Sequence, residues 1–158
     1  MADKTHRYEI ALEWTGNTGS GTSGYGAYER AYVLSGPGKP DIPGSSDPHF
    51  RGDAARWNPE ELLLASLSAC HQLWYLHLCA VNKVTVVGYR DRPVGEMAEH
   101  ADGSGEFVRV VLKPEVTIAP GSDTATAQRL HHEAGRLCFV ARSMNFPVEH
   151  DASLKVAG

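Results

Sequence analysis

The chain has 158 residues, enough for one domain with a core of its own, so a single domain over residues 1–158 is expected. Its 42% hydrophobic and 22% charged content excludes a disordered chain. A net charge of −4 with no basic cluster argues against nucleic acid and anionic membranes as partners.

From the N-terminus, Met1 to Glu9 carries no apolar h-region and no cleavage site, so no secretion signal is expected, and a cytoplasmic setting is. Tyr8–Trp14 alternates apolar and polar residues, the pattern of a half-buried strand. The glycine-rich stretch 16–26 reads as a turn region. It lacks the strand–GxGxxG–helix context and the lysine of a phosphate loop. Ala27–Leu34 reads as a second strand. Residues 35–48, with Pro37, Pro40, Pro43 and Pro48, read as a long irregular loop, with a further short strand near Phe50.

At Asn58-Pro59-Glu60-Glu61 the pattern changes. Asn58 suits an N-cap, Pro59 the first helical position, and Glu61 the third position of a capping box. A helix follows to about Val81. Its apolar residues lie on nearly all faces, so it is expected to be buried in the middle of the protein. Glu60, Glu61, His71, Gln72 and His77 argue against a membrane span. Thr85–Tyr89 and Phe107–Ile118 read as strands, joined through a hairpin with Asp102-Gly103 at its turn. Ser122 or Asp123 caps a second helix to about Leu137. A short helical turn over Phe139–Met144 and a last strand over Val148–Val156 complete the chain. The order β-β-α-β-β-α-β is that of an α+β protein.

Cys70, Cys79 and Cys138 cannot close a structural disulfide set, and no CxxC pair suggests zinc. In a cytosolic setting a disulfide among them is redox-active rather than structural. Cys79 lies nine helical residues beyond Cys70, about 13 Å away on the opposite face, too far for a bond. It reads as a buried small hydrophobe. Cys138 ends the second helix. Packing of the two helices can bring it to Cys70, and two buried structural thiols are the plain alternative. A thiol in mid-helix gains little from the helix dipole, so a reactive Cys70 needs a cation from elsewhere. Arg51 and Arg56, just upstream, are the candidates.

Asn58-Pro59-Glu60-Glu61-Leu62-Leu63, followed by Ala65 and Ser68-Ala69-Cys70, resembles the opening of the central helix in the OsmC/Ohr superfamily. That superfamily comprises osmotically inducible protein C and the organic hydroperoxide resistance proteins. Ala134-Gly135-Arg136-Leu137-Cys138, with Asn145 and Pro147-Val148, is similar to its second cysteine segment. The resemblance implies an OsmC-like fold with a long buried central helix, in an intertwined homodimer with active sites at the subunit interface. It implies an organic hydroperoxide reductase without a cofactor or metal. Cys70 would be the peroxide-attacking thiolate and Cys138 its disulfide partner. A dithiol, in the family often a lipoyl group, would be the reductant. An Arg–Glu pair supports the thiolate in the family. Glu60 matches the glutamate, and Arg51 is the expected arginine, ahead of Arg56. The family's arginine within the glycine-rich stretch has no counterpart here, and without a gap His49 occupies the alternative position. Ten helical residues, about 15 Å, separate Glu60 from Cys70, so Glu60 is expected to serve the partner chain's site.

Trp57, Trp74, Phe50 and Tyr75 are candidates for an apolar substrate pocket, or else core. His71 reads as a core or dimer-contact residue. His131-His132-Glu133 lacks metal-site spacing and reads as surface helix. Two alternatives remain: a non-enzymatic dimer of the same fold that binds a small apolar ligand, and a hydrolase using Cys70 with His71.

Overall fold

Asn58 starts the longest element as its side chain dictates. Its Oδ1 accepts from the Glu61 N–H at 2.8 Å, and its own N–H donates to Glu61 Oε2 at 3.2 Å, which closes the capping box. The structure, a computed structural model, describes residues 2–158 and divides into two compact units, one up to Leu62 and one from Leu63 onward.

The first unit holds an antiparallel sheet of β1 (Ala11–Trp14), β2 (Tyr32–Ser35) and β3 (Ile42–Gly44), in the order β1-β2-β3. β2 begins later than expected. Residues 27–31 instead run beside the glycine-rich turn, with Glu29 N–H on the Gly16 carbonyl at 2.8 Å and Thr15 N–H on that of Ala31 at 2.9 Å. β3 falls where an irregular loop was expected. Its Pro43 offers no N–H, yet its carbonyl still accepts from Trp57 N–H at 3.2 Å. β1 shows no half-burial within the chain: Leu12 is 62% and Trp14 41% exposed. Phe50 lies in a 3-10 turn, Pro48–Phe50, rather than a strand. Pro48 pre-sets that turn, and Asp47 caps it by accepting from His49 N–H at 2.7 Å.

Gly52 follows this turn, and a Cβ there would stand 1.5 Å from the Ser46 carbonyl oxygen. Only a glycine lets the two backbones approach so closely. Gly52→Ala is expected to cost about 2–4 kcal/mol and to disorder the loop carrying Arg51, as thermal melting checks.

α1 (Pro59–Val81) runs unbroken across the division between the units. The second unit adds β4 (Val86–Arg90), β5 (Val94–Glu99), β6 (Gly105–Leu112), β7 (Glu115–Ile118), α2 (Thr124–Leu137), α3 (Phe139–Arg142), β8 (Val148–His150) and β9 (Ser153–Val156). They form two sheets, β4-β7-β9 and β5-β6-β8. The expected strand 107–118 is split at Pro114, where the chain leaves one sheet for the other. The last strand divides likewise, β8 pairing in parallel with β6 and β9 with β7. The hairpin turns where expected: Gly103 takes φ 86°, and Asp102 accepts from Ser104 N–H at 2.9 Å. Asp123 caps α2 by accepting from Thr126 N–H at 2.9 Å.

The buried stripe of α1, Leu67, His71, Tyr75 and Cys79, recurs every fourth residue. Its C-terminal part packs with Ala127, Leu130 and Ala134 of α2 over Val116 and Ile118, and Leu67 packs with Val110 and Leu112. Burial of α1 within the chain is one-sided, since Ala65, Ala69 and Leu73 on another face stay exposed.

Candidate functional site

Cys70 projects half-buried from the middle of α1. Cys138 terminates α2, its N–H donating to the Ala134 carbonyl at 2.9 Å. Its sulfur then opens α3 by accepting from Ala141 N–H at 3.4 Å. The Cys70 thiol is near enough to act on that of Cys138. Burial, then the adjacent Cys70 thiol, pushes the Cys138 thiol up to about 11. Both sulfurs are free, and Cys138 is 1% exposed. Cys79 lies in the core, as expected of a small hydrophobe, and burial raises its thiol pKa too.

Next to the thiols, α1 and α2 are pinned by polar groups. His71 Nε2 and His131 Nδ1 stand 3.1 Å apart with their rings parallel. Tyr75 stacks on His131 with centroids 3.9 Å apart, and its hydroxyl donates to the Ala127 carbonyl at 3.0 Å. His150 of β8 tilts against both imidazoles. Burial and then His150 hold His71 down at about 4. Burial, His71 and His150 hold His131 at about 3. Both rings are therefore neutral at physiological pH. Asp91 opposes the shift of His71, and its carboxylate accepts from Ser68 Oγ at 2.6 Å.

His131 corrects the sequence reading, which assigned it to a surface face. It is 1% exposed, whereas His132 is exposed. The spacing Ala127–Leu130–His131–Ala134 carried the signal, because i, i+3, i+4, i+7 is the buried stripe of an amphipathic helix. Tyr75 likewise belongs to the core and is fully buried. Trp74 instead meets exposed Phe139 edge-on at 5.5 Å, and it borders a shallow hollow with Leu73 and His77.

Arg51 and Glu60 belong to the first unit, and they form no ion pair with each other among the described residues. Arg51 takes φ 64° after the 3-10 turn, and its guanidinium lies 5.7 Å from the centre of the Tyr25 ring. Arg30, which the sequence reading did not single out, covers the same ring at 4.7 Å and that of Tyr28 at 4.0 Å. Arg56 is tied to the Tyr32 carbonyl at 3.1 Å. These three arginines border one hollow of about 410 Å³, and none of them forms an ion pair among the described residues. His49 pairs with Asp47 at 2.7 Å. Glu60 buries Oε2 without a hydrogen-bond partner among the described residues. The Tyr32 hydroxyl pKa is raised by burial and then by the Glu60 charge.

Among the described residues no helix is long and apolar enough to cross a membrane, and no group of His, Cys, Asp and Glu is arranged to hold a metal ion.

Residues 52–153 match the family described as OsmC-like protein. No protein of curated function matches the chain. Among solved structures, an OsmC-like protein of unknown function from Vibrio cholerae aligns with TM-score 0.85 and 26% identity, covering 94% of this chain and 100% of its own. An organic hydroperoxide resistance protein OsmC from Legionella pneumophila aligns with TM-score 0.68 and 15% identity over 98% and 100%. An organic hydroperoxide resistance protein from Elizabethkingia anophelis aligns with TM-score 0.66 and 17% identity, again over 98% and 100%.

Proposed function

The chain belongs to the OsmC-like protein family, and from that premise we propose that it is a thiol peroxidase acting on organic hydroperoxides through Cys70 and Cys138. The observation that supports the proposal is the nearness of the Cys70 thiol to that of Cys138, one half-exposed and one sealed. The Cys70 thiolate attacks the distal peroxide oxygen, the O–O bond breaks, and the departing alkoxide takes a proton to become the alcohol. Cys70 is left as a sulfenic acid. Cys138 sulfur then displaces its hydroxyl, which leaves as water with the Cys138 proton, and a disulfide forms. An external dithiol of the lipoyl kind reduces the disulfide by exchange. No cofactor or metal enters these steps.

Arg51 is the proposed cation for the thiolate, and Glu60 the carboxylate that orients its guanidinium. The unpartnered Oε2 of Glu60 supports this role, since a buried carboxylate oxygen is costly until a donor reaches it. α1 is continuous, so about 15 Å of axial rise lies between Glu60 and Cys70. Glu60 therefore serves the site of a second copy, and the active species is a homodimer. Two exposed apolar stripes support that assembly. One is Tyr8 and Ile10 just before β1 with Leu12 and Trp14 on it, and the other is Ala65, Ala69 and Leu73 on α1. We take residues 1–158 as one OsmC-like domain working in the cytoplasm. The family match from 52 to 153 spans both units, in keeping with that view.

Thiol titration tests the proposal. One equivalent of cumene hydroperoxide is expected to remove two of the three free thiols per chain, and dihydrolipoamide to restore them. An unchanged thiol count would sink the peroxidase and leave a dimer that binds a small apolar ligand. Sedimentation at twice the chain's mass is expected for the homodimer.

A further inference from the structure

We infer that His71 and His131 are positioning residues for the Cys70–Cys138 pair, locking α1 against α2 at the register that sets the two sulfurs side by side. The purpose of the lock rests on the dithiol reading above, while the lock itself rests on geometry.

His71 directly follows Cys70 on α1, and His131 lies two turns before Cys138 on α2. Each helix thus carries one sulfur and one imidazole, and the imidazoles meet at 3.1 Å. Apolar packing alone specifies such a register weakly. Leu130, Ala127 and Ala134 pack through apolar contacts, which carry no direction of their own. A hydrogen bond between two buried nitrogens has one solution, because a shift of one residue, about 1.5 Å, breaks it. Breaking it leaves both nitrogens sealed from water, at a cost far above that of an exposed pair. Among the described residues the His131 Nε2 is buried without a partner, and the ring's hydrogen bond is the one between Nδ1 and His71. One nitrogen of the pair must donate and the other accept, so the tautomer of one ring dictates that of the other. Tyr75 closes the stack from the α1 side and prevents the His131 ring from turning away.

The test is the rate at which diamide closes the Cys70–Cys138 disulfide in the full chain with Cys79→Ala. The two thiols lose two electrons and two protons, and the diazene N=N takes them up as a hydrazine. No peroxide takes part, so failure of the peroxidase reading would leave this result standing. His131→Asn keeps a hydrogen-bonding group near the position of Nδ1 and is expected to close within about threefold of the parent. His131→Leu keeps the bulk without the bond and is expected to close about tenfold more slowly or worse. Closure at the parent's rate in a folded His131→Leu chain overturns the inference. So does equal slowing in both variants, because side-chain shape rather than the hydrogen bond would then set the register. Should His131→Leu fail to fold, imidazole ¹⁵N spectra of the unaltered protein decide. Two neutral rings with one slowly exchanging N–H between them at pH 7.5 are expected. Freely exchanging imidazoles overturn the inference.

Discussion

Cys70→Ser is expected to abolish hydroperoxide reduction, lowering kcat/KM for cumene hydroperoxide by roughly 10³-fold or more. The three thiols differ enough to make this specific. Cys79 and Cys138 are each 1% exposed and each pushed up by burial. Burial and the neighbouring Cys70 thiol push the Cys138 thiol up to about 11, which disfavours the thiolate that attack on a peroxide requires. Cys70 alone is open to a substrate. Cys138→Ser is expected to behave differently. The first equivalent of peroxide is still consumed, and turnover then stops because no thiol is left to condense with the sulfenic acid. With excess peroxide, mass spectrometry is expected to find Cys70 as the sulfinic acid. Retained steady-state turnover in Cys138→Ser would remove Cys138 from the cycle. The hydrolase alternative fares worse. A Cys70–His71 pair needs the imidazole free, and His71 is turned into the core against His131.

Much of the fold was legible because it is written in local chemistry. Asn58-Pro59 and Glu61 specify a helix start without any tertiary help, and Asp102-Gly103 specifies a turn. The splitting of strand 107–118 at Pro114 and the pairing of Ile42–Gly44 were not legible. Each depends on a partner strand distant in the chain, and hydrophobic runs do not say when a strand changes sheets. The pairing of Cys70 with Cys138 was reachable only through the resemblance of the two cysteine segments, because the pattern alone left two structural thiols as the plain alternative. The imidazole stack was not, because histidine has no fixed address: the same ring suits a wet face, a metal or a core. Only the period of α2 betrayed it. Arg30 was missed for a related reason. Its role comes from Tyr25 and Tyr28, which the turn folds beneath it, and no motif marks such a contact.

The same stack sets the second large effect, a loss of stability in mild acid. Tyr75 and His71 face His131 from α1, and His150 faces it from β8. Asp91 supplies the one attraction that favours a charged His71, and His132 adds to the repulsion on His150. Desolvation outweighs that attraction, so the folded chain holds His71 near 4 and His131 near 3, against 6.5 for a free imidazole. Above pH 6.5 neither state of the chain binds these protons, and stability is unaffected. As pH falls below 6.5, the unfolded chain takes them up and the folded chain does not, so unfolding gains ground until the folded pKa values are reached. Each pKa unit is worth about 1.4 kcal/mol, which puts the loss at pH 4 at roughly a few kcal/mol for the pair together, a large part of a typical domain's stability. Urea midpoints between pH 7.5 and 4.5 are expected to fall steeply and reversibly. His71→Leu/His131→Leu removes both partners together, leaves no orphaned nitrogen, and is expected to flatten the curve with little change at pH 7.5. A double variant with the parent's acid slope would move the sensitivity elsewhere, to His150 or to the carboxylates. If the slope is flattened, the imidazole pair is what makes the packing of α1 on α2, and with it the meeting of Cys70 and Cys138, dependent on proton concentration.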